Sequence, residues 1–163
     1  MLFRRLVICV TFALAGHAAA FEVAEFRSGM TRDQVRALLD SWRFDRVQES
    51  AEALLAYDQP DKGSNRSFRF LFCNDHLAAL EQAMKPSIRN FIVITSNYVT
   101  VYGQPMKLDA GVNVISSGEK NTMALTWRKG NEVIGVRYQL LPGGEDLFIV
   151  YEAPNTCWQV PRS

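Results

Sequence analysis

TMALTWRKGNEVIGVRYQLLPGGEDLFIVYE, residues 122–152, decides the fold class. Thr122 to Arg128, Glu132 to Leu140 and Asp146 to Glu152 are three apolar or alternating runs, rich in the β-branched and aromatic side chains that suit a half-buried sheet. Lys129-Gly130-Asn131 and Pro142-Gly143-Gly144 separate them with turn formers, so the stretch predicts an antiparallel meander. Asp109 to Ile115 adds a fourth candidate strand.

Upstream, Ile88 to Tyr102 carries two conflicting signals. Its Ile, Val and Thr content favours strand. Its spacing favours helix, because Ile88, Phe91, Ile92, Thr95, Tyr98, Val99 and Tyr102 share one face at a 3.6-residue period. Ser87 offers a cap and Gly103 with Pro105 a stop, so a helix is expected. A second helix is announced by Gly29-Met30-Thr31-Arg32-Asp33-Gln34-Val35. Thr31 and Gln34 form a capping box, and Met30 with Val35 the accompanying hydrophobic staple. That helix should end near Asp40-Ser41.

Between the two helices, Trp42 to Tyr57 has a mixed pattern, and Asp58 to Asn65 is a turn-forming loop. Phe68, Phe70 and Phe72 alternate as a half-buried strand requires. His76 to Met84 is ambiguous: Leu77, Ala78, Ala79, Leu80, Glu81 and Gln82 favour helix by propensity, whereas the Asn74-Asp75 turn suggests a returning strand.

The N-terminus begins with Arg4 and Arg5, continues through the apolar run Leu6 to Leu14, and reaches the small residues Ala18-x-Ala20. This is the order of a cleavable secretory signal, with cleavage expected after Ala20 and a periplasmic destination. The run is too short to span a bilayer, and Leu6-Val7-Ile8-Cys9 lacks the small residues of a lipoprotein site. Cleavage would leave 143 residues, with 16 basic side chains against 17 acidic. That balance gives no electrostatic case for nucleic acid or an anionic membrane. Cleavage also leaves two cysteines, Cys73 and Cys157, which in an oxidising compartment are most simply a disulfide. Such a bridge would stabilise the fold by about 4 kcal/mol in the chain-entropy account. A reactive Cys73 thiol near His76 is the alternative.

Catalytic signals are absent from the pattern. After cleavage one histidine remains, His76, so a His-rich metal site is not expected, and no Gly-x-Ser-x-Gly elbow or phosphate-binding glycine loop occurs. The acids sit in no recognisable motif. No cofactor, metal or enzymatic activity is expected. The aromatics are the informative group: strand-borne Tyr and Trp suit binding surfaces, and Trp127, Arg137 and Tyr151 are the candidate partner-binding residues if they share an exposed sheet face.

Gly29-Met30-Thr31 followed by Val35 and Leu39, the segment Phe68-Arg69-Phe70-Leu71-Phe72-Cys73-Asn74-Asp75 before Leu77, and Tyr102-Gly103-Gln104-Pro105 before Trp127 together resemble the SmpA/OmlA family of BamE-like envelope proteins. The plan is also similar to that of the β-lactamase inhibitor proteins. The resemblance implies that Leu77 to Met84 is the returning strand. It also implies an α+β fold of helices packed on antiparallel sheet, in two tandem helix-plus-sheet units (21–85 and 86–163) of one domain. It further implies a non-catalytic periplasmic protein that binds an envelope or secreted protein, or alternatively inhibits a secreted or envelope hydrolase by inserting the loop from Asp58 to Asn65. No cysteine stands at the expected start of the mature chain to carry that family's lipid anchor.

Overall fold

The computed structural model describes residues 19–59 and 66–158. The proposed signal segment, but for Ala19 and Ala20, and residues 60–65 of the candidate loop lie outside them. A short hairpin, β1 (Glu22–Val23) and β2 (Phe26–Arg27), comes first, turning at Ala24 with φ 54°. Helix α1 (Arg32–Trp42) follows, then β3 (Arg46–Glu49), β4 (Ala53–Tyr57), β5 (Ser67–Cys73) and β6 (His76–Ala83). Helix α2 (Ile88–Tyr102) leads into β7 (Lys107–Ile115), β8 (Gly118–Lys129), β9 (Glu132–Leu141) and β10 (Gly144–Glu152).

The expectation of an α+β fold built of two tandem helix-plus-sheet units is corrected. The described residues are mostly strand, with two helices, and eight of their strands form one antiparallel sheet in the order β3-β4-β5-β6-β10-β9-β8-β7. The physical reason is the β6–β10 pairing, from Phe148↔Ala83 to Glu152↔Ala79, which joins the two sets of four strands through a shared backbone ladder. Neither set keeps an edge at that point, so a boundary between two sheets has no place to form.

The helix starts follow from local chemistry. Gln34 N–H donates to Thr31 Oγ1 at 3.3 Å and Thr31 N–H to Gln34 Oε1 at 2.9 Å, closing the capping box. Arg43 in the left-handed conformation (φ 53°) ends α1. Ser87 caps α2 by accepting from Asn90 N–H at 3.0 Å. His76 to Ala83 is strand despite its propensity, because β5 and β10 pair with it on both sides. Two strand pairs satisfy more backbone donors and acceptors than a helix in that position could while also burying Leu77 and Leu80.

Both helices lie on one side of the sheet. Under α1, the alternating Phe68, Phe70 and Phe72 meet Val35, Leu39, Leu54, Leu77 and Leu80 in the larger core cluster. Phe26 packs 4.6 Å from Phe70, ring centre to ring centre. Under α2, Phe91, Trp127, Val136 and Leu147 form a second cluster. Arg32 ties α1 to the sheet end: its guanidinium donates to the carbonyls of Ser50 (3.0 Å) and Ala51 (2.7 Å), pairs with Glu49 and Asp75, and covers the Phe72 ring.

Cys73 and Cys157 form the expected disulfide, with Cα atoms 5.6 Å apart and 84 residues of separation. It fastens the C-terminal tail to the end of β5. Replacing both cysteines with serine is expected to lower the unfolding free energy by about 2–4 kcal/mol, read from urea midpoints at unchanged m-value. A loss below about 1 kcal/mol would show that the tail is held by its other contacts.

Candidate functional site

Strand register sorts the candidate residues by face. Trp127 pairs with Ile134, and Ile134 with Tyr151, so Trp127 and Tyr151 point the same way, toward the helices. Trp127 is 1 % exposed and donates from Nε1 to the Gly103 carbonyl at 2.9 Å. The Tyr151 hydroxyl meets that of Tyr98 at 3.2 Å, and burial raises both phenols above their ordinary value. Arg137 pairs with Ala124 and Phe148 and faces the opposite side. The three residues therefore do not form one patch: two hold α2 down and the third belongs to the face without helices. His76 opens β6, exposed, and donates from Nδ1 to the Gly29 carbonyl at 3.0 Å.

That helix-free face is the candidate site. One row of paired residues crosses it through Gln48, Leu55, Arg69, Glu81, Val150, Gly135, Thr126 and Lys107. A neighbouring row runs through Ala83, Phe148, Arg137, Ala124 and Asp109. At its centre Glu81, buried at 8 % exposure, accepts from Arg137 Nη2 at 2.9 Å and pairs with Arg69 Nη1 at 3.5 Å. Two guanidinium groups thus share one carboxylate. Arg137 also lies over the Phe148 ring at 5.2 Å, and its buried Nε has no hydrogen-bond partner.

Arg137 divides two depressions. The larger, about 550 Å³, lies between Leu55, Arg69, Glu81, Lys120, Gln139 and Phe148. The smaller, about 160 Å³, lies over Gly135 between Lys107, Asp109, Thr126, Val150 and Glu152. Gly135 makes the floor low there, and a Cβ at that position would meet nothing closer than Val150 Cβ at 3.7 Å. The C-terminal tail closes one end of the face: Trp158 Nε1 and Asn155 Nδ2 both donate to Glu152 Oε1, at 2.7 and 3.3 Å. A third depression, between Arg32, Glu52, Phe72, Asn74 and Trp158, flanks this end.

Glu81 commits its oxygens to two arginines and Glu152 commits one to the tail, so neither is presented as a free acid. Among the described residues no group of three or more His, Cys, Asp or Glu side chains could hold a metal ion, and no helix is long and apolar enough to cross a membrane. Arg69 and Glu81 were not singled out in the sequence, since they sit in the segments whose strand pairing it left open. The placing of Trp127 against Arg137 was legible in principle, because a two-residue turn at Gly130-Asn131 pairs Trp127 with Ile134 and sends Arg137 to the other face.

Burial raises the Glu152 carboxyl above its usual value, with Glu81 adding repulsion, while the bonds from Trp158 and Asn155 act against this. The folded chain therefore holds this proton at a pH where the unfolded chain has released it, so the group's contribution to stability falls as pH rises from about 4.5 through the folded value. Glu152→Gln keeps the Oε1 acceptor without the charge. It is expected to match or exceed the native protein in stability at pH 7, with the difference shrinking in acid, as read from urea unfolding across a pH series. A variant less stable at pH 7 would mean that the charged hydrogen bonds outweigh the burial.

Compared with protein-family models, with curated proteins and with solved structures, the chain matches none.

Proposed function

We propose that this chain is a non-catalytic, protein-binding component of the cell envelope that holds a segment of another envelope or secreted protein against the helix-free face of its sheet. The observation that carries the reading is the one-sided placement of α1 and α2, which leaves a row of paired residues from Gln48 to Lys107 uncovered. The face combines what protein interfaces favour: arginines, a half-exposed aromatic in Phe148, aliphatic Leu55 and Val150, and polar groups at the margin. Both depressions are open and partly polar, unlike the enclosed and mainly apolar pockets that take small molecules. The secretory reading of the N-terminus and the disulfide support an envelope compartment.

Site-specific photo-cross-linking in envelope extract tests this. A photoreactive residue at Phe148 or Thr126, both on the open face, is expected to trap one protein in stoichiometric yield, and one at Asp40, exposed on α1, to trap none. Gly135→Val, which raises the floor without touching the core, should reduce trapping at least tenfold. The identity of the trapped protein separates an adaptor from an inhibitor of a hydrolase. Equal trapping from Asp40 and Phe148, or none from either open-face position, would count against the reading.

A further inference from the structure

The other side of the molecule carries an anomaly. Among the described residues eleven large apolar side chains are at least 36 % exposed, and all but Val47 lie between Ile88 and Leu140. Four are on α2: Ile88, Ile92, Val93 and Val101. Five more, Leu108, Val112, Val114, Met123 and Leu140, form the corner of the sheet made by β7, β8 and β9. Register puts these five on the helix side, since Leu108 pairs with Leu125, which packs beneath α2, and the others follow by alternation. The corner therefore lies on the side of the sheet that α2 occupies, and remains exposed.

Helix α2 is itself unusual for a surface helix. It has one charged residue, Arg89, in fifteen, whereas α1 has Arg32, Asp33, Arg36 and Asp40 in eleven. Its exposed positions mix Ile88, Ile92, Val93 and Val101 with Arg89, Ser96, Asn97 and Thr100, so apolar side chains extend beyond the stripe that packs on the sheet. Exposed by 36–85 %, the nine side chains present an apolar area on the order of 700 Å², above the few hundred Å² that a monomer usually shows. Two copies burying it together would remove roughly 1,400 Å², within the size of a specific interface.

We propose that two copies of this chain associate about a twofold axis, each placing its α2 on the bare β7–β9 corner of the other, so that the two α2 helices form one layer between two sheets. The occupant is a second copy because the face holds what each half of such a contact needs, exposed apolar side chains on a helix and an uncovered apolar corner beside it, and a contact of this kind closes on itself. Charge lies at the margins of the face: Arg89 at the start of α2, Glu119 opposite Val114 and Glu145 opposite Leu140. The open faces point away from this contact, so it is independent of the binding role proposed above.

Sedimentation equilibrium of the purified protein at micromolar concentration decides the matter. The native chain is expected at twice its monomer mass. Val93→Glu on α2 and Val112→Glu on the corner, at side chains 50 % and 62 % exposed, are each expected to give monomers with unchanged far-ultraviolet circular dichroism. Val47→Glu, exposed in the other half of the sheet, should remain dimeric. If either test variant fails to fold, Val114→Glu, at 85 % exposure, takes its place. A monomeric native chain overturns the proposal, including one that binds lipid vesicles or a different protein through this face. Dimers that survive both glutamates overturn it as well.

Discussion

The antiparallel pairing of β6 with β10 is the constraint on which the remaining structure depends. Those two strands hold the middle of an eight-stranded sheet, and each is hydrogen-bonded on both sides. Their ladder fixes the register of everything outward from it, and register fixes face. Leu80 and Tyr151 are thereby placed toward the helices, while Glu81 and Val150 face the open side. A slip of one residue would put the Glu81 carboxylate among the aromatic side chains under the helices and expose Leu80, a cost large enough to exclude the alternative.

Local chemistry was the part of this fold most legible in the sequence. The Thr31–Gln34 capping box, the spacing of α2 and the turns that punctuate β8, β9 and β10 all act over a few residues, and the structure shows each of them. The disulfide followed from the two cysteines that the expected cleavage would leave. Other elements depend on distant partners. Strand β3 has four exposed residues, so no alternation marks it. Strand β6 has the propensity of a helix and is overruled by two neighbours brought from either side, one of them about seventy positions later. The larger architecture was misread for the same reason: helices followed by strands suggest separate units unless the pairing between them is known.

The candidate site shows the same division. Aromatic residues were a fair guide to what packs, but Trp127 and Tyr151 pack inward. The open face is organised instead by Glu81, a carboxylate held between two guanidinium groups, Arg69 on the adjacent β5 and Arg137 on β9 beyond β10. Buried ion pairs add less to stability than their geometry suggests, because desolvation opposes the attraction. Their stronger effect is to hold Arg69 and Arg137 in fixed positions across four strands, β5 to β9, which keeps the face ordered without a covering layer.

The strand order has a consequence for how the chain is made. Strand β10 is the last of the ten to leave the ribosome, yet it occupies the middle of the sheet, between β6 and β9. Until β10, close to the end of the polypeptide, is available, β6 presents an unpaired edge, and Cys73 near its start waits for a partner 84 positions downstream. The sheet cannot be completed progressively from one end during synthesis, as a simple meander could. Completion is deferred to a single late step in which the end of the chain closes the centre, so a polypeptide truncated before β10 would leave an open gap at its core and not merely a shorter sheet.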